Sequence, residues 1–377
     1  MPRPCGFVYS LRPVPKTAAP STKQATMSAA VYRGANDIRV ESVPVPSIEA
    51  DEVLVRVAAC GVASTDVKKV EMGLLPPPLI LGREIAGTIE RVGRDVDDWQ
   101  EGERVVVYPH VPCRRCFYCE RELYAQCDTY KKFGVTAGFE PQGGGFAEFV
   151  RVLPGTVTDG GLVEVPKTVP FEQAFFVEPV NTCLRGIRLL DLGEEDVVLV
   201  AGAGSLGLIV QQLAIREGAQ VVVADPLPGR LKLAKELGAV RIVDPRHEDM
   251  HAACKDLTDG RGADAAIVAA VGEGPARDAI RATRPGARIL LFAQIQRGDE
   301  VAVDMGDICI DEKHVIGAYS ASVDEADEAE NVVFHREIEL APLVTDRFPL
   351  SSAPDAFRRA AASSDDVVKV VVFPGKS

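Results

Sequence analysis

Cys113, Cys116, Cys119 and Cys127 fall within fifteen residues, in a C-x2-C-x2-C-x7-C run. Thiolates are soft ligands, and four of them can close a tetrahedral shell around zinc with no position left open. Such a shell holds structure and performs no chemistry, so the run predicts one structural Zn2+ per chain. No secretory signal accompanies it, and a cysteine cluster outside an oxidising compartment reads as metal-binding rather than disulfide-forming.

A second chemical signal lies at Gly202-Ala203-Gly204-Ser205-Leu206-Gly207. A lone G-x-G-x-x-G is weak, but this one follows the apolar strand VVLVA and opens an apolar helix, the context the motif requires. The first glycine permits the tight turn, the second lets backbone approach a pyrophosphate, and the third lets helix pack on strand. The helix N-terminus presents free N–H groups and a partial positive charge to phosphate, with Ser205 and Leu206 at its opening. Asp225 ends the next strand about 20 residues on, where a carboxylate accepts from ribose hydroxyls and repels a 2′-phosphate. The expected cofactor is therefore NAD(H). Arg230 could pair loosely with a phosphate, but its position on the following helix reads more readily as a solvated surface residue.

These residues need a scaffold to hold them. At 377 residues, 46% apolar and 26% charged, the chain has the composition of a globular protein of two domains. The net charge of −13 argues against a nucleic-acid partner. No apolar run approaches the ~18 residues of a membrane span. Residues 1–26 are basic, proline-rich and free of acid, and read as a disordered tail or as sequence upstream of a working start at Met27. From Val31 to about Val107 short strands cut by Gly and Pro (VYRG, EVLVRVAACGV, EIAGTIERVG, RVVVYP) predict a compact β unit. From Asp196 apolar strands alternate with helices, which predicts a parallel sheet covered on both faces. The last strand, DVVKVVVFP, could return to the first unit.

With cysteine lobe, β unit and dinucleotide fingerprint in this order, the chain resembles the zinc-containing medium-chain alcohol/polyol dehydrogenases over essentially Met27 to Val372. Glu178-Pro179 makes it similar to the threonine- and sorbitol-dehydrogenase-like branch. The resemblance implies an α/β architecture: a GroES-like β domain (27–180, with the zinc lobe at 109–130), a doubly wound Rossmann domain (181–317), and a return to the first domain over 318–377. It also implies hydride transfer between an alcohol carbon and nicotinamide, in a cytoplasmic homodimer or homotetramer acting on a small molecule.

Two departures bear on mechanism. The family holds a catalytic zinc with a Cys from C-G-[ST]-D, a His from G-H-E and a later Cys or Glu. Here the first position is Ala63, in Cys60-Gly61-Val62-Ala63-Ser64-Thr65-Asp66, and the second is Arg83, in Gly82-Arg83-Glu84. Only Glu178 keeps a side chain able to ligate. Alanine has no donor, and guanidinium is a fixed cation without a lone pair. The expectation is an empty catalytic-metal position occupied by Arg83, paired to Glu178 and Glu84. By the resemblance, Thr65 begins the proton relay from substrate oxygen and Lys68 stands at the relay histidine. Asp66 is a neighbouring carboxylate free to pair with Arg83. Cys60, Cys183 and His110 read as structural.

The reading is thus an NAD(H)-dependent oxidoreductase with structural zinc and without catalytic zinc. Its rivals are a conventional zinc-dependent polyol or secondary-alcohol dehydrogenase and a non-catalytic NAD(H)-binding protein. The substrate is not legible, because it is set by loops such as Met72 to Leu81 and Gln294 to Gly298.

Overall fold

The computed structural model describes residues 25–108, 111–129, 143–293, 298, 300–362 and 364–375. His110, most of the Gln294–Gly298 loop and nearly all of the basic N-terminal segment lie outside them.

The first half of the chain is antiparallel. Strands β1 (Thr26–Gly34) and β2 (Asp37–Pro44) pair as a ribbon, with the short β4 (Leu79–Ile80) on the other side of β1. A larger sheet is built around β3 (Val53–Gly61), which pairs with β5 (Glu84–Val92) and with β7 (Phe149–Val152). β6 (Arg104–Val107) and β8 (Leu162–Glu164) extend it beyond β5. Helix α1 (Ser64–Met72) leaves the end of β3 after Ala63. A longer helix, α2 (Val177–Leu190), buries ten of its residues and carries the chain towards the second sheet.

That second sheet is entirely parallel. It contains β9 (Val197–Ala201), β10 (Gln220–Ala224), β11 (Arg241–Val243), β12 (Ala263–Val268), β13 (Thr283–Leu291) and β14 (His314–Gly317), in the order 11-10-9-12-13-14. Reversal of direction about β9 and β12 gives the doubly wound arrangement whose switch point binds dinucleotides. The strands are apolar without alternation because helices cover both faces: every residue of β9 is buried. Helix α3 (Ser205–Arg216) follows β9, and α4 (Pro228–Glu236) follows β10.

The chain then comes back. After helices α5 (Ala326–Phe334) and α6 (Ala353–Ala361), strand β16 (Lys369–Phe373) pairs with β15 (Val344–Pro349) and with β3, where Val371 faces Gly61 and Val372 faces Cys60. The final strand therefore belongs to the larger antiparallel sheet built around β3, as its apolar run allowed.

Candidate active site

The turn between β4 and β5 shows how the fold places its charges. Gly82 adopts φ +104°, and a Cβ there would lie 2.7 Å from Cys60 Sγ and 3.0 Å from Phe146. Only glycine fits, and the turn directs the next two residues inward. Arg83 Nε lies 3.2 Å from Glu178 Oε1 at the start of α2, with the Glu178 side chain 4% exposed. Glu84, expected on position alone to share Arg83, instead meets Lys369 Nζ at 2.5 Å, and both side chains are buried. Gly61 leaves room for that pair, since a Cβ there would sit 2.0 Å from Glu84 Oε2. The Lys369 ammonium also lies 5.8 Å from the Phe175 ring centroid. Lys369 carried no motif and was invisible to sequence reading: it reaches the cleft only because β16 returns beside β3.

Helix α1 supplies the opposite wall. Ala63 is buried at its N-terminus. Thr65 Oγ1 and Asp66 Oδ2 are both buried without a hydrogen-bond partner. Lys68, where the resemblance expects the relay residue, is half-buried, whereas the next residue, Lys69, is 7% exposed. Burial pulls the Lys69 ammonium down to about 8; Asp66 and Glu178 oppose the shift, and Arg83 adds to it. Burial pushes Glu178 up to about 7 against the pull of Arg83 and Lys369, with Glu84 and Asp66 adding to the rise. Three cations (Lys69, Arg83, Lys369) and three carboxylates (Asp66, Glu84, Glu178) thus share one buried region. Each is tolerable there because an opposite charge stands near.

The side chains at the position where the resemblance would put a catalytic metal do not compose a zinc site. Ala63 contributes a methyl group, Arg83 a guanidinium, and Glu178 is engaged by that guanidinium. Cys60 gives no substitute: it is fully buried in β3, and burial pushes its thiol well above the usual range, as it does for Cys183. Among the described residues, the cluster of donors close enough to share an ion is Cys113, Cys116, Cys119 and Cys127, whose sulfurs all lie within 4.8 Å of one another. Thiolates 2.3 Å from a tetrahedral zinc would stand about 3.8 Å apart, so modest contraction closes the shell. Two single-turn helices, Cys119–Arg121 and Tyr124–Gln126, bring the last two cysteines inward, and Cys113 N–H donates to Cys127 Sγ at 3.3 Å.

The dinucleotide loop has the geometry its glycines suggested. A Cβ on Gly207 would fall 1.8 Å from Gly202 O, and one on Gly202 would fall 2.8 Å from Ala270 N. On Gly204 it would meet only Arg230 Nη1, at 4.0 Å, so this face is open for a pyrophosphate. Ser205 Oγ, beside Leu206 at the start of α3, is buried with no partner. Asp225 accepts from Ala203 N–H at 2.8 Å and Leu227 N–H at 2.9 Å, which fixes its carboxylate against the loop while leaving lone pairs for hydroxyl donors. Arg230 is not a solvated helix residue: its Nε and Nη2 donate to Val367 O at 3.2 and 3.0 Å, tying α4 to the returning segment. The residues present fit a nicotinamide dinucleotide.

A parallel sheet with a dinucleotide cradle, joined to a β unit that carries a charged cleft and a cysteine lobe, defines a nucleotide-dependent oxidoreductase. Residues 49–166 match the alcohol dehydrogenase GroES-like domain, and residues 205–334 match the zinc-binding dehydrogenase family. The chain is 28% identical to sorbitol dehydrogenase of Bacillus subtilis (strain 168), covering 93% of this chain and 98% of that one. It is 31% identical to L-threonine 3-dehydrogenase of Thermococcus kodakarensis, covering 76% and 79%. Its structure matches that of a zinc-binding dehydrogenase from Sinorhizobium meliloti 1021 bound to NADP, with a TM-score of 0.84 at 29% identity, covering 93% and 100%. The chain belongs to the zinc-containing medium-chain dehydrogenases, in the branch of the polyol and threonine dehydrogenases. Among the described residues, no helix is long and apolar enough to cross a membrane.

Proposed function

We propose that the protein is an NAD(H)-dependent oxidoreductase acting on an alcohol/carbonyl pair, with zinc in its cysteine lobe and no metal in its cleft. The Arg83–Glu178 pair carries this reading, because it fills the position where a metal would polarise the substrate oxygen. The backbone of Gly202, Gly204 and Ser205 would hold the pyrophosphate, and Asp225 the adenosine ribose. The buried carboxylate of Asp225 opposes a 2′-phosphate, which favours NAD(H) over NADP(H). Bound nicotinamide supplies or takes the hydride.

Everything else falls to side chains. Arg83, fixed by Glu178, keeps a positive charge beside the substrate oxygen without the reorganisation that water would require. Thr65, with its hydroxyl unpartnered, is placed to hydrogen-bond that oxygen and pass its proton. Glu84 and Lys369 neutralise each other and support the floor. Without a Lewis acid, the barrier for a simple alcohol/carbonyl pair is higher in both directions, so an activated carbonyl, whose carbon needs less polarisation, suits the cleft better. The test is NADH binding by calorimetry, followed by turnover on a carbonyl panel with and without a mild chelator. Binding and chelator-resistant reduction are expected. Absence of NADH binding would overturn the reading, and activity lost to chelation and restored by zinc would return it to a metal-dependent dehydrogenase.

A further inference from the structure

The resemblance puts the relay position on Lys68, but it is the neighbouring Lys69 that the helix buries within reach of the cleft's charges. Lys69 follows Thr65 by four residues on α1, one turn on and on the same face. It is 7% exposed, a degree of burial that lysine rarely reaches unless paired. The charged groups that act on it come from three elements: Asp66 of α1 itself, Glu178 of α2, and Arg83 of the turn before β5. Helix α6 also packs on α1, but its Arg358 is paired with Asp355 and its Arg359 with Asp346 and Asp366.

We propose that the ε-ammonium of Lys69, rather than that of Lys68, is the proton donor to the substrate oxygen, acting directly or through the Thr65 hydroxyl. The proposal rests on the reading of the cleft as a metal-free hydride-transfer site. In reduction, the carbonyl carbon accepts a hydride, with its two electrons, from reduced nicotinamide. The C=O π pair moves to oxygen, and that oxygen takes a proton from Lys69 Nζ. An O–H bond forms, an N–H bond breaks, and the neutral amine regains its proton from solvent. Alcohol oxidation runs the same steps backwards, with the neutral amine as base. A lysine in the usual range would be too weak a donor and too rarely a base for either direction at neutral pH. Burial brings Lys69 to about 8, where both forms are populated. The signs follow: reduction, which needs the ammonium, slows as pH rises through about 8, and oxidation, which needs the amine, accelerates over the same interval.

Two measurements on the full-length protein decide it. Competitive acetylation with acetic anhydride, read lysine by lysine by peptide mass spectrometry, follows each amine without any turnover. Lys69 is expected to titrate near 8. Kinetics of Lys69→Ala, Lys69→Met and Lys69→Arg then follow at saturating NADH. A fall in kcat of about 10²–10⁴-fold is expected for Lys69→Met, with NADH affinity kept and the pH limb gone. Partial rescue of Lys69→Ala by added methylamine is also expected, a response that a packing role would not give. An ordinary titration of Lys69, or an active wild type equalled by Lys69→Met, overturns this proposal alone. A wild type that binds NADH yet turns over no carbonyl overturns the reading beneath it, and with it the donor.

Discussion

Glu178 makes the energetic case at the scale of single residues. It is buried, and its first partner is a guanidinium that has no neutral form to retreat to. Removing one member of a buried ion pair leaves the other charge desolvated, at a cost of about 3–5 kcal/mol. Glu178→Ala is therefore expected to lower stability by about that amount in urea unfolding, and Glu178→Gln by less, since an amide oxygen still accepts from Arg83. Equal, small losses in both would show that the guanidinium does not depend on this carboxylate. That Ala63 and Arg83 depart from the residues the resemblance expects was legible in the sequence, because both stand in recognisable motifs. The choice between Lys68 and Lys69 was not, because alignment to a motif gives position along the chain and not the phase of a helix face. Lys369 had no local signal at all.

At the scale of elements, the three glycines of the dinucleotide loop are predicted to separate by role. A methyl group on Gly207 collides with the Gly202 carbonyl at 1.8 Å, so Gly207→Ala must move helix α3 against β9 and is expected to lower the Tm. Gly204→Ala has open space around its Cβ and is expected to keep the Tm while weakening NADH binding at least tenfold, because the methyl group stands where the phosphates would approach. A Gly204→Ala variant with unchanged NADH affinity would show that the cofactor lies elsewhere. Periodicity made this unit plain from sequence: continuous apolar strands, a glycine turn and apolar helices have few other solutions. Arg230 was harder, since its anchor is a carbonyl at Val367, more than a hundred residues away. The cleft elements invite the converse experiment. Ala63→Cys combined with Arg83→His would restore a Cys–His–Glu donor set with Glu178, and the double variant is expected to take up one more zinc than the parent. No gain would mean that the walls have closed beyond what two side chains can reopen.

The whole molecule holds its two larger sheets together by a chain that leaves the one around β3 and returns to it, so the cleft is built from β3, α1, the Gly82 turn, α2 and β16 at once. The order of motifs revealed the fold class because few architectures place a cysteine lobe before a dinucleotide unit. It did not reveal the pairing of charges, which depends on where the last strand lands. The account's central claim is a division of labour: zinc as structure in the lobe, and organic cations as chemistry in the cleft. Zinc per chain, by elemental analysis of protein purified without added metal, tests that division most directly. One zinc, lost together with the fold in Cys127→Ser and unaffected by Glu178→Gln, is the predicted result. Two per chain, with one of them lost in Glu178→Gln, would place a metal beside Arg83 and contradict it.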